Sequence, residues 1–236
     1  MNLASLANFS VEKAHRTQLM MSKRILFEDK LPKRIRHVAG IDVAYAGDFS
    51  IGTVAVLDYK TLELVESQTA ISKTLFPYIP TLLSFREIPP AIQSIRKLLA
   101  QPDVFLVDGQ GFAHPYHCGF ANYLGLVLNK PTIGVAKSKL FGKVEDNKNK
   151  KIAYLKHDGE VIGAAVKTKE NCKPLYVSVG HMISLETAIK IVEQCSLNQR
   201  IPEPIMKAHE IATEEKEKLN ISLADITNND SFTPQK

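Results

Sequence analysis

Apolar residues along this chain follow two rhythms. Short runs rich in Val, Ile and Ala alternate with longer stretches in which apolar positions recur at helical spacing. Residues 11–27 carry the helical kind, loosely, with Leu19, Met20 and Ile25. Residues 37–45, HVAGIDVAY, read as a mostly buried strand with one carboxylate, Asp42, in its middle. Strands over 50–59 and 62–72 follow, joined by connections at Gly47-Asp48 and Lys60-Thr61 that are short enough for hairpins. The first three strands thus predict an antiparallel meander.

The run Val104-Phe105-Leu106-Val107 is too short for a helix and stops at Asp108, with Gly109-Gln110-Gly111 directly after it. A helical pattern over 119–128 is closed by Lys130-Pro131, and Thr132–Ala136 is a second buried strand ending at Lys137. Strand, helix and strand with short connections predict a right-handed parallel crossover. Open α/β sheets work at the carboxyl ends of such strands, so Asp108 and Lys137 are expected on one rim.

Between meander and crossover, Pro77 and Pro80 stiffen the segment holding Tyr78. Pro89-Pro90 predict the first turn of a helix running to Ala100, with Glu87 in the turn just before it. The polar run 145–151 reads as a loop, 151–169 as a hairpin turning at His157-Asp158-Gly159, and 175–179 as a strand. Ser184 opens a helix to Cys195, and a last short helix over 202–212 carries His209. Together these elements predict an α/β fold, a mixed sheet flanked by helices. No Gly/Ser/Pro-rich linker divides it, so residues 1–213 are expected to form one domain, with 214–236 a polar, flexible tail.

Composition narrows the setting. Hydrophobic residues make up 44% of 236, enough for a sizeable core and too many for wholesale disorder. No apolar run reaches the ~18 residues of a membrane span, and the amino-terminal stretch lacks the pattern of a signal peptide. Three scattered cysteines, Cys118, Cys172 and Cys195, form no zinc motif and suit a reducing cytoplasm. Net charge is +5, with the tail from Glu214 at −2 and the remainder at +7, which suits a polyanionic partner.

A lone carboxylate within aliphatic sequence is costly to bury unless it is paired or bound to metal. Asp42 and Asp108 are two such residues. Neighbouring strands lie about 4.8 Å apart, so aspartates on adjacent strands can share one divalent ion. Hard oxygen donors favour Mg2+ or Mn2+, and Glu87 can complete the set. The fitting chemistry is metal-assisted attack of water on a phosphodiester. Equally, Asp42 can be a hydrogen-bonded structural carboxylate and Asp108 a turn former. Lys137 is a candidate phosphate contact, and His114 stands in a loop near the expected crevice. His181 precedes a helix N-terminus, where backbone N–H groups favour phosphate, and Tyr78 is placed to wedge into a base stack.

The segments VAGIDVAYAGD, YIPTLLSFREIPP, LVDGQGFAHP, LGLVLNKPTIGVAKSKLFG, LYVSVGHMISLETA and RIPEPIMKAH occur in an order that resembles the endonuclease V family. The resemblance spans Arg36 to Ala212. It implies a ribonuclease-H-like fold in which the first strand pairs with the fourth, joining Asp42 to Asp108. It further implies hydrolysis of the second phosphodiester bond 3′ to deoxyinosine in DNA, with Mg2+ or Mn2+, in a monomeric DNA-repair enzyme. Asp42 and Asp108 then correspond to metal ligands, Glu87 to the third acid, and Tyr78 to the wedge. Gly109, Gln110 and Gly111 correspond to the turn facing the displaced base, and Lys137 and His209 to positions for phosphate contact and catalysis.

The chain departs from the family pattern at Thr81, Tyr116-His117, Asn122-Tyr123, Val179 and Met182. Two cationic side chains are lost there, an expected weakening of phosphate grip of ~1 kcal/mol each. Two alternatives stay open: an inosine-specific endoribonuclease acting on RNA, and a non-cleaving binder of inosine-containing nucleic acid.

Overall fold

The computed structural model describes residues 10–145, 151–197 and 199–230, with side chains to residue 221. Most of the expected 145–151 loop and the last six residues of the tail lie outside these. Helix α1 (Val11–Ser22) is capped by Ser10, whose side chain accepts from Lys13 N. Strands β1 (His37–Ala46), β2 (Phe49–Asp58) and β3 (Leu64–Lys73) form the meander, and α2 spans Leu83–Ile95. Strand β4 (Val104–Asp108), α3 (Phe120–Leu128) and β5 (Thr132–Ala136) form the crossover. Strands β6 (Lys143–Val144), β7 (Ile152–His157), β8 (Glu160–Val166) and β9 (Leu175–His181) complete the sheet, followed by α4 (Leu185–Gln194) and α5 (Glu203–Asp230).

Among the described residues, one nine-stranded sheet has the order β3-β2-β1-β4-β5-β9-β8-β7-β6. Strands β1, β4 and β5 are mutually parallel neighbours, and the other pairings are antiparallel. Alternation along the central strands separates two cores. Val38, Val104, Leu106, Ile133 and Val135 face a core that includes Ile189 of α4 and Ile205 and Ala208 of α5. Ala39, Ile41, Phe105 and Val107 face Ala91 of α2 and Phe120, Ala121 and Leu124 of α3. Helices therefore cover both faces of the sheet centre.

Two glycines set how closely those helices approach. A Cβ on Gly40 would fall 1.9 Å from the Pro204 carbonyl oxygen, and one on Gly52 would fall 2.3 Å from that of Pro90. Lacking side chains, they let α5 rest on β1 and α2 on β2.

Two boundaries differ from expectation. Helix α2 starts at Leu83, so Pro89 and Pro90 lie inside it, and Glu87 is within the helix instead of before it. Its first turns are held by burial, with Leu82 packed against Ala14 and Phe76, and this outweighs the preference of proline for a helix start. Helix α5 runs on to Asp230 instead of ending near Ala212. The residues after Thr213 include many Glu and Lys, which are good helix formers.

Candidate active site

The site is built where β1 and β4 finish their pairing. Ile41 faces Val107 in the parallel register, and the next residues along are Asp42 and Asp108. Both have the parity of the face covered by α4 and α5. Helix α5 brings His209 to that face, with its Nδ1 2.8 Å from Asp42 Oδ2. Lys137, just past β5, donates from Nζ to Asp108 Oδ2 at 2.6 Å. Only 14% of the Asp108 side chain is exposed. Burial raises the Asp108 pKa, the Lys137 hydrogen bond opposes that rise, and Asp42 adds to it.

Glu87 reaches the aspartates from α2 on the opposite face. It is buried, and its pKa stands well above the ordinary value, first through burial and then through repulsion by Asp42 and Asp108. Tyr45 donates to Glu87 Oε1 at 3.4 Å, while buried Oε2 has no hydrogen-bond partner among the described residues. The Arg86 guanidinium lies 4.2 Å from the Tyr45 ring centroid. Three carboxylates thus repel one another at one strand end. Among the described residues, no three His, Cys, Asp or Glu side chains are arranged to enclose an ion by themselves.

Beside the acids lies a cavity of about 140 Å³ lined by Tyr78, Pro80, Thr81, Ser84, Gly109, Gln110, His114, Gly119, Phe120 and Leu140, among others. Sites for drug-sized molecules measure about 300–1,000 Å³, so this one suits a single heterocycle better than a whole nucleotide. Tyr78 stands at its side, 69% exposed. Gln110 donates to Ser138 O at 3.0 Å, and its own buried Oε1 has no hydrogen-bond partner among the described residues. Burial pushes the His114 pKa down to about 4, and its Nδ1 accepts from Tyr116 N.

Asp42, Glu87, Asp108, Lys137 and His209 therefore converge, and Tyr78, Gly109, Gln110 and His114 share the neighbouring cavity. Two expected residues do not line it. Gly111 is buried beneath, with its N–H on Ser178 Oγ at 2.9 Å. His181 ends β9 and its Nδ1 accepts from Leu26 N. Sequence reasoning missed Tyr45, Arg86, Ser84, Phe120 and Leu140. An aromatic three residues after Asp42 and an arginine beside Glu87 were the available signals.

The departures from the family pattern have structural partners. Buried Asn122 donates to Val179 O and Gly180 O and accepts from Gly119 N. Val179 is a core residue, and Tyr123 packs edge-on against Phe85.

A mixed sheet whose first and fourth strands carry neighbouring aspartates where their pairing finishes, with a third acid from a covering helix, defines a nuclease of the ribonuclease-H-like class. Comparison with known proteins specifies it further. The endonuclease V family model matches residues 19–210. Endonuclease V of Thermofilum pendens is 46% identical over 207 residues, covering 87% of this chain and 89% of that protein. The crystal structure of endonuclease V from Streptomyces avermitilis superposes with a TM-score of 0.83 at 33% identity, covering 89% of this chain and 94% of that one. Endonuclease V of Ciona intestinalis, in complex with a 24mer DNA containing an inosine followed by a ribo-adenosine, superposes with a TM-score of 0.81 at 32% identity, covering 89% and 98%. The chain belongs to the endonuclease V family, hydrolases that cut phosphodiester bonds within a strand.

Proposed function

We propose that this protein hydrolyses the second phosphodiester bond on the 3′ side of deoxyinosine in DNA, acting as a monomeric repair enzyme of the cytoplasm. The carrying observation is the convergence of Asp42, Asp108 and buried Glu87 beside a small cavity flanked by Tyr78. The inosine in the DNA bound by the Ciona intestinalis relative supports the choice of base.

The donor set fits a divalent ion. Oδ2 of each aspartate is occupied, by His209 and by Lys137, which leaves each Oδ1, and Glu87 adds its unpartnered Oε2. Mg2+ favours such oxygen donors and is usually held by one or two carboxylates together with waters and substrate phosphate. Asp42 and Asp108 would hold Mg2+, with Mn2+ as a substitute. The chemistry supplied there is stabilisation of the charge that develops on the phosphate and the leaving oxygen.

The chain's own residues do the rest. An ionised carboxylate only accepts, so the proton between His209 and Asp42 belongs on Nδ1, and Nε2 is then the acceptor for a proton from water. Lys137 offers its cation to Asp108 and, beyond it, to the strand's phosphate. Gly109 and Gln110 present backbone and amide groups to a displaced base, and Tyr78 fills the gap that the base leaves.

The test is nicking of an end-labelled duplex carrying one deoxyinosine, with Mg2+, beside Asp108→Ala. A nick at the second bond that the variant loses supports the reading, and absence of nicking with both Mg2+ and Mn2+ overturns it. Retained binding without any nick would point to a non-cleaving binder. A second reading, an inosine-specific ribonuclease, is favoured by one observation: the strand bound by the Ciona intestinalis relative carries a ribonucleotide directly after the inosine. Matched DNA, RNA and chimeric strands separate the two.

A further inference from the structure

The segment carrying Tyr78 and the 112–119 loop both line the cavity, and neither is held by the sheet ladder where it lines it. Helix α1 joins them. Gln18 is fully buried, and its single amide nitrogen donates to Thr81 O at 2.8 Å and to Cys118 O at 3.0 Å. It thus bridges one wall to the other. One turn earlier, His15 Nε2 lies 2.9 Å from Thr81 Oγ1, and its ring stacks on Tyr116 with centroids 3.9 Å apart and 17° between planes. Ala14 packs with Phe76 and Leu82, supported by Ile79 and Phe85. His114, from the 112–119 loop, lines the same cavity as Thr81.

These contacts hold an unfavourable conformation. Thr81 has φ +73°, a region that β-branched residues avoid. It persists only where surroundings over-determine it, and here the side chains of His15 and Gln18 both grip one residue. Two of the residues gripped by His15, Thr81 and Tyr116, are positions where the chain departs from the family pattern. His15 and Gln18 themselves lie ahead of the 19–210 span matched by the family model.

We infer that α1 is a brace that fixes the aperture of the base cavity, with His15 and Gln18 as positioning residues for base selection. This rests on the reading of the cavity as a base pocket. No residue of the acidic set takes part in the brace. Loosening it therefore weakens capture of the displaced base and leaves the hydrolytic step in place.

The experiment compares the full chain with His15→Ala and with His15→Gln, whose amide retains a hydrogen bond to Thr81. Two readouts are taken: kcat and KM on the deoxyinosine duplex with Mg2+, and amide hydrogen exchange of the free protein. For His15→Ala we expect KM to rise about tenfold with kcat within about twofold, and exchange in segments 79–83 and 114–118 to quicken about tenfold. His15→Gln is expected to recover a good part of both. Unchanged exchange in both segments overturns the brace, as does a fall in kcat at constant KM. If the wild type fails to nick deoxyinosine DNA, the functional reading fails, and the exchange arm still decides whether α1 braces the two walls.

Discussion

Lys137 Nζ lies 2.6 Å from Asp108 Oδ2, bringing a cation from the end of one parallel strand to a buried carboxylate on its neighbour. Without metal, that ammonium does most to favour the charge on Asp108, with a smaller contribution from His209. Lys137→Met should therefore destabilise the metal-free protein by about 1–3 kcal/mol, the cost of leaving a buried charged group unpaired. Because an ion bound to Asp108 restores the missing positive charge, Mg2+ should raise the melting temperature of the variant more than that of the wild type. Thermal melts in EDTA and in Mg2+ measure both. A smaller rise in the variant would place the ion away from Asp108.

Glu87 is a stability cost retained by the site. Burial, then Asp42 and Asp108, raise its pKa well above the ordinary value, so between the unfolded and folded pKa values the native state binds more protons. Stability of the wild type in EDTA should accordingly be fully present below the unfolded value and fall as pH rises through the folded one. Glu87→Gln removes the repulsion and should stabilise the metal-free fold at neutral pH by on the order of 1 kcal/mol, while nicking is lost. Urea denaturation from pH 5 to 8 should show the gap between the two proteins widening with pH.

His114 gives the opposite slope. Its folded pKa is about 4, lowered chiefly by burial, against an unfolded value of about 6.5. Between those values the unfolded chain binds the extra proton, so stability falls as pH drops from 6.5 toward 4. One pKa unit corresponds to about 1.4 kcal/mol, which makes the full loss on the order of 3 kcal/mol. His114→Gln should flatten this part of the stability curve, as measured by denaturant unfolding across that window.

Gly40 ties the sheet to the chemistry. A Cβ there would meet the Pro204 backbone at 1.9 Å, so Gly40→Ala must push the start of α5 off β1. Overpacking of this kind costs about 1–3 kcal/mol, and the displaced helix carries His209, which bonds Asp42. Both melting temperature and nicking should fall. An equal insertion at Gly47, where a Cβ meets nothing within 4 Å, should leave nicking intact and act only through its positive φ.

The central fold was legible because burial on both faces leaves continuous apolar runs, and a single aspartate in each of β1 and β4 stood out against them. The β7–β8 turn was also legible, since Asp158-Gly159 takes positive φ at both residues, as its composition suggested. The start of α2 was not legible. Local proline chemistry pointed to Pro89, whereas contacts of Leu82 with Ala14 and Phe76, distant in sequence, set the boundary. Tertiary contact also explains His181. Strand β9 continues to pair with β5 up to Thr132 and His181, which turns a residue expected beyond the strand, ahead of a helix N-terminus, into a buried strand end. Gln18 is the clearest omission: a polar residue among the buried positions of a helix, whose role emerges only when loops more than sixty residues away arrive beside it.

Tyr78 separates function from stability most cleanly. It is 69% exposed and sits between Pro77 and Pro80, so removing its ring uncovers little core. Tyr78→Ala should leave unfolding free energy within about 0.5 kcal/mol of the wild type, as for most surface substitutions. Stacking of a base on an aromatic ring is worth about 1–3 kcal/mol, so the same variant should lose roughly tenfold or more in kcat/KM on deoxyinosine DNA. Tyr78→Phe keeps the ring and should retain most of that activity. Steady-state kinetics beside denaturant melts decide the matter. A Tyr78→Ala protein as active as the wild type would mean that the gap left by the displaced base is filled from elsewhere in the cavity wall.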